Sequence, residues 1–298
     1  MRQNSAPTAI DFMILVFLSL IWGTSYILIK KGLEVFTPGQ VATLRLGISA
    51  LALAPLAFRH LKKINRKQVP LLMLIGITGT GLPSFLFPFA QTELSSSLTG
   101  MLSGLTPLCT FLVAWLFFRS RDAGNRQLLG VVLGLIGAFL LAWAAPGEAG
   151  QTTQFAYAGF ILLACFCYAI SSNLVAAYFK EMSSLTITVT SFFLVGVPAL
   201  IWALTAGAVL ETAAMDVGGN GWWALGYIAA LALFSTVLAS IIFFKMVQRT
   251  GPIFSSTVSY IIPLVALSWG LADGEGLGSW QIPAIVLVLT GVFLSRGK

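Results

Sequence analysis

The chain is 298 residues long, 57% hydrophobic and only 9% charged, with a formal net charge of +7. Soluble domains carry about 25% charged residues, so this balance excludes a soluble globular protein and places the chain in a lipid bilayer. The positive charge requires no nucleic-acid partner, because Arg and Lys of membrane proteins gather in cytoplasmic loops.

Charges, Gly and Pro punctuate ten apolar spans, predicted at 11–31, 39–58, 70–90, 97–118, 127–144, 156–178, 184–205, 222–245, 252–271 and 280–296. The fold class expected is an all-α membrane protein. The first run, DFMILVFLSLIWGTSYILIK, matches the roughly 20 residues that cross a bilayer core. It is too long for a signal peptide and no small-residue cleavage site follows, so it reads as a retained span. Trp22 stands at its middle, with Gly23 permitting close approach and Tyr26 one turn on.

Span two carries Arg45, about 9 Å below the outer boundary at 1.5 Å per residue. It either faces a cavity and binds a carboxylate, or snorkels outward, or caps carbonyls at a helix break. The loop RHLKKINRK that follows is a positive-inside anchor, with anionic lipid contact as a second role. Span three reads LPSFLFPFAQ and presents Phe85 and Phe89 one turn apart, beside Pro83 and Pro88. Span four places Pro107 near its middle, and span nine places Pro263 likewise. Each Pro lacks an N–H and clashes with the carbonyl four residues back. The freed carbonyl can bind a solute, mark a bend, or be satisfied by neighbouring Ser and Thr. Span six reads CYAISSN, with Tyr168, Ser171, Ser172 and Asn173, and span nine reads STVSYIIP, with Ser256, Ser259 and Tyr260.

Orientation follows from the loops. With the N-terminus inside, fourteen of the seventeen basic residues are cytoplasmic, leaving Lys30, Lys31 and Arg45 elsewhere. Both termini are therefore expected in the cytoplasm. Trp143, Trp202, Trp222, Trp223, Trp269 and Trp280 all fall at outer ends, as interfacial indoles should. Trp22 alone is at mid-span.

The chain also repeats itself. QLLGVVLGLIGAFLL at 127–141 and QIPAIVLVLTGVFLS at 281–295 share seven of fifteen residues, among them Gly137/Gly291 and Phe139/Phe293. Thr106-Pro107-Leu108 likewise echoes Ile262-Pro263-Leu264. Spans four and five thus match spans nine and ten, which gives two halves of five spans. Five is odd, so the second half enters the membrane upside down. Inverted repeats recur in secondary transporters, with the substrate site at mid-membrane between them. The expected division is 1–145, an outer linker 146–155, and 156–298. GMLSG (100–104) and GVVLG (130–134) have the spacing that lets helices approach closely and are assigned to packing.

LIWGTSYILIKKG in span one, the Arg of TLRLGISALAL, LTPLCTFLVAWLFF in span four, SYIIPLVALSWGLADGEGLG and the paired glycines together resemble the drug/metabolite transporter superfamily, in its ten-helix EamA branch. The resemblance spans nearly the whole chain. It implies two inverted five-helix repeats, a central cavity lined by spans one, three, four, six, eight and nine, and movement of small metabolites, often outward and often amino acids. One departure is visible: the acid common after span four is replaced by Phe118-Arg119-Ser120-Arg121, while its counterpart Glu275 remains.

Absences narrow the chemistry. No GxxxxGK[ST] loop is present, so the chain hydrolyses no ATP. No Asp or Glu lies near mid-membrane, and Lys and Arg are expected to be absent from the centre, which favours a neutral or zwitterionic solute with an apolar or aromatic part. Cys109, Cys165 and Cys167 lie inside apolar runs and read as packing residues. No cofactor or metal is expected. The partners expected are a small-molecule substrate and the bilayer, with one chain sufficing as a functional monomer.

The reading is thus a multi-pass inner-membrane secondary transporter, exporting amino acids or similar metabolites by alternating access. The candidate substrate residues are Trp22, Tyr26, Arg45, Phe85, Phe89, Pro107, Tyr168, Asn173, Ser259, Tyr260 and Pro263, with Trp22, Tyr168 and Tyr260 flooring the cavity. A nucleotide-sugar or lipid-precursor exchanger is the alternative within transport. A membrane-embedded lipid-modifying enzyme is a third reading, although the only His is His60, in a cytoplasmic loop.

Overall fold

The computed structural model describes residues 7–118, 125–143, 151–205, 220–276 and 278–295. Arg119–Arg121, residues 146–150 of the expected linker, and the charges at Arg2, Glu148, Glu211, Asp216, Arg296 and Lys298 lie outside the described residues. All regular structure among the described residues is helical.

Among the described residues eight helices are long and apolar enough to cross a membrane: α1 (Ala9–Leu33), α2 (Pro38–Leu61), α3 (Arg66–Ala90), α4 (Ser96–Phe117), α6 (Gln151–Tyr178; its apolar span Gln154–Tyr178), α7 (Ser184–Thr205), α8 (Gly221–Thr250) and α9 (Pro252–Ala272). Between and after them stand α5 (Asn125–Trp143) and α10 (Gln281–Ser295), whose described apolar stretches are shorter. Local chemistry sets the starts. Thr8 and Asp11 form a reciprocal capping box at α1, and Thr37 with Gln40 forms another at α2, where Pro38 opens the helix.

In lipid the exposed face of a helix gains nothing by turning polar, so large apolar side chains ring the outside. Ile10, Met13 and Phe17 of α1, and Phe58 of α2, are all well exposed. Helices then associate through close packing of small residues. α4 is the most enclosed, with 72% of its span buried. The partners fall in matched sets: α5 packs on α10, α2 on α7, and α4 on α9. α1 packs on α8 and α9 as α6 packs on α3 and α4, and α8 meets α2 as α3 meets α7.

The repeated phrase lies at one of these contacts. A Cβ at Gly291 would overlap the backbone of Gly130 and Gly134, and one at Gly137 would stand 2.7 Å from the Val288 backbone nitrogen. The two copies therefore pack against each other, glycine face to glycine face.

Four helices are irregular where they pass the centre. α3 contains a π stretch at Ile77–Gly81 and α8 one at Leu231–Leu238. α4 breaks between Ser96–Ser103 and Thr106–Phe117, and α9 tightens into a 3₁₀ turn at Thr257–Tyr260 before resuming at Ile262. Pro107 and Pro263 consequently occupy the first turn of a new helical segment, not a helix interior. In that position the missing N–H is one a helix start leaves unpaired, and of the expected outcomes the one seen at Pro107 is a carbonyl four residues back satisfied by a neighbouring Thr. The carbonyls at the α4 break are met locally: Thr106 Oγ1 donates to the Ser103 oxygen and Ser103 Oγ to the Gly100 oxygen, both at 2.7 Å.

Candidate functional site

The irregular segments surround a central cavity that is open on one side. α1 contributes Trp22, Ser25, Tyr26 and Ile29, a single stripe at helical spacing. α8 contributes Ser235, Thr236, Ser240, Phe243 and Phe244; α9 contributes Ser256, Val258, Ser259 and Ile262. Gly79, Thr80 and Phe87 come from α3, Ser103 and Thr106 from α4, Tyr168 and Ser171 from α6, and Arg45 from α2.

The π stretch of α8 organises one wall. Its Ser235 carbonyl accepts the Trp22 indole N–H at 2.8 Å, while the Trp22 ring meets Phe243 edge-on at 5.1 Å. One residue along, Thr236 Oγ1 donates to the Leu231 oxygen five residues back, the spacing of a π turn, and accepts the Arg45 Nε–H at 2.7 Å. Arg45 is only 6% exposed and its guanidinium faces the phenols of Tyr168 and Tyr26. Opposite, Tyr26 meets Phe87 at 5.6 Å and Phe87 stacks on Tyr168 at 6.0 Å, forming an aromatic arc. The hydroxyls of Thr80 and Ser171 are buried in the lining without a hydrogen-bond partner in the protein. Such groups point to a cavity that receives a polar ligand or water.

Five candidates from the sequence line this cavity: Trp22, Tyr26, Arg45, Tyr168 and Ser259. Six do not. Phe89 is 44% exposed on the outside of the bundle, and Phe87, two residues earlier, takes the inward place. Phe85 is half-buried away from the cavity. Asn173 joins α6 to α4, donating to the carbonyls of Ala169 at 2.9 Å and Thr110 at 3.3 Å. Pro107 and Pro263 are buried at their helix starts, and Tyr260 packs against the core beside the cavity without lining it. The expectation of no Arg near the centre is overturned by Arg45, which turns inward instead of snorkelling. Sequence reasoning missed the α8 wall; the mid-span pair Ser235-Thr236 in LFSTVLAS was the available signal.

Ionic ties bracket the cavity. At one end Lys30 Nζ meets Asp273 at 2.7 Å and Glu275 at 2.9 Å, and Lys31 meets Asp273 at 2.9 Å and Glu34 at 2.7 Å. Glu275 also accepts the backbone N–H groups of Ser96 and Ser97 at 3.0 and 2.9 Å, and both hydroxyls, at the N-terminus of α4. Burial pushes its carboxyl up, but Lys30 and the two serines outweigh burial and hold it at about 2. Lys30 and Lys31 likewise depress Asp273. At the other end Arg249 bonds Asp11 and Thr8, both at 2.8 Å.

A family model described as the EamA-like transporter family matches residues 10–143 and again 156–297. The chain belongs to the EamA-like transporter family. It is a multi-pass membrane protein. This EamA chain is 24% identical to the Bacillus subtilis transporter YyaM over 96% of its own length and 93% of the relative's. It is 26% identical to the Escherichia coli inner membrane transporter YedA, over 96% and 91%. A Salmonella typhimurium relative named a probable amino-acid metabolite efflux pump is 24% identical over 96% and 94%. One solved crystal structure shares the fold, with a TM-score of 0.64 and 16% identity over 97% of this chain and 96% of that one.

Proposed function

We propose that this EamA chain is a secondary transporter of the cell inner (plasma) membrane that exports amino acids or similar small neutral or zwitterionic metabolites by alternating access. The observation that carries the reading is the central cavity, walled by α1–α4 of one matched segment and α6, α8 and α9 of the other. Its lining joins aromatic faces to hydroxyls, and the name of the Salmonella relative favours amino acids among the solutes that fit.

Ten membrane spans in two inverted five-helix repeats, 1–145 and 156–298 joined by 146–155, complete the proposal, with both termini cytoplasmic. The matched packing sets support it, because adding five to each helix number maps the set onto itself. The π stretches of α3 and α8, equivalent helices in that scheme, support it too. Alternating access then consists of rocking one repeat against the other. Because both halves of the cavity come from one chain, a monomer suffices.

The test is counterflow in liposomes preloaded with amino acids, sugars and nucleotides, with pH-gradient dependence recorded. Amino acids should exchange. Trp22→Ala should insert and fold yet lose about 10-fold or more of exchange, through the lost indole bond and packing. Exchange of nucleotides or nucleotide sugars alone would replace this reading with the exchanger alternative, and no exchange of any solute would remove transport.

A further inference from the structure

We infer that Arg45 is the carboxylate anchor of the cavity, and that the solute is a monocarboxylate with an apolar or aromatic body whose amino group is dispensable. The inference rests on the transporter reading and deepens it.

A guanidinium buried within the membrane is costly unless an anion or a wet cavity meets it. Arg45 is 6% exposed, yet its Nε–H contacts a neutral hydroxyl, that of Thr236, at 2.7 Å. Its other near neighbours, Tyr168 and Tyr26, are phenols. No Asp or Glu lines the cavity. Asp273 and Glu275, which meet the Lys30 end of α1, are already engaged by Lys30 and Lys31. The cavity therefore holds one positive charge that the protein leaves uncompensated among the described residues.

The bond to Thr236 has a geometric consequence. Guanidinium carries five N–H donors in a planar fork. With Nε committed to Thr236 of α8 and the Tyr168 phenol also hydrogen-bonded to the guanidinium, three of the five N–H donors remain for a carboxylate. The Tyr26–Phe87–Tyr168 arc adjoins the same guanidinium and offers an apolar or aromatic body its contact. Farther round, Thr80 and Ser171 present hydroxyls without charge. A single carboxylate closes the charge balance, whereas an ammonium finds no acid and a doubly charged phosphate finds only one cation.

The test uses the whole protein. Thermal stabilisation in detergent, and counterflow in liposomes, are measured with phenylalanine, 3-phenylpropionate, phenethylamine and phenylalaninamide, and with the matching leucine series. Acids with or without the amino group should bind and exchange, while the amines and amides should do neither. Arg45→Gln should weaken the acids about 10- to 100-fold, the worth of one charge-assisted contact, and Arg45→Lys should weaken them less. Thr236→Val, which keeps the charge but loosens its aim, should also weaken them less than Arg45→Gln. Equal binding of amines and acids, absence of binding by any acid, or an Arg45→Gln protein with undiminished acid affinity would overturn the assignment. The wild-type comparison stands even if Arg45→Gln fails to fold. Exchange of amines or sugars in place of acids would sink the anchor and leave the transporter; acid binding lost in Arg45→Gln, with no exchange of anything, would do the reverse.

Discussion

The two ends of α1 are both tied to the second matched segment, but by different means. At the Asp11 end the tie runs through Arg249, which pairs with Asp11 and bonds Thr8: Asp11 is buried, Arg249 is 40% exposed, and the acid also serves the capping box of its own helix. At the Lys30 end five charges interlock, and Glu275 is only 7% exposed. There a single carboxylate binds the α1 cation and the N-terminus of α4 together. A helix N-terminus and an ammonium add their fields at one acceptor, so the Lys30 end is the stronger clasp. In an alternating-access cycle each clasp opens in turn, and the contrast predicts that the two ends do not open with equal ease.

The comparison breaks most severely at Glu275. Glu275→Gln should cost about 2–3 kcal/mol, read as a fall in the thermal midpoint of purified protein, because Lys30 and two N–H groups lose their anion together. Acid should reproduce the loss in the wild type. The folded carboxyl is held at about 2 against an ordinary 4.5, so its stabilisation is complete above about 4.5, fades as pH falls, and is gone below about 2. Asp273 is depressed as well and acts in the same direction. In Glu275→Gln the fall in stability between pH 5 and 3 should shrink. Asp11→Asn should cost less, about 1–2 kcal/mol, since its partner is partly solvated and its capping bonds are partly kept by the amide. Lys31→Met should cost least, under about 1 kcal/mol, because its pairs with Glu34 and Asp273 are both partly solvated and Asp273 keeps Lys30. A Lys31→Met effect rivalling that of Glu275→Gln would erase the distinction between a clasp and a surface network.

How much of this was legible beforehand follows from the kind of signal each feature leaves. Long apolar runs bounded by charges fix helices, and the stripe Trp22, Tyr26 in span one points inward because a lone mid-membrane indole needs a partner. Span three is apolar all round, so no polar face marks which side turns to the cavity. Phe85 and Phe89 were therefore preferred to Phe87, and the π stretch just before them resets the helical phase in a way no residue type announces. Proline chemistry marks the disruption, and the structure adds that each Pro opens a new helical segment, with the break in the turn before Pro107 and Pro263. Arg45 illustrates a different limit. Its residue type allowed snorkelling or turning inward, and only the position of Thr236 on a neighbouring helix decides between them.

The glycine seam between α5 and α10 bears on how such a chain is made. Gly130, Gly134 and Gly137 leave the ribosome with the first half, but the residues that cover them, around Val288 and Gly291, are synthesised more than half a chain later. During that interval the notch in α5 faces lipid or a surrogate helix. Completion of the bundle thus waits on its last described helix, and a chain stopped short of Gln281 would release the first half with an unfilled groove that invites quality control.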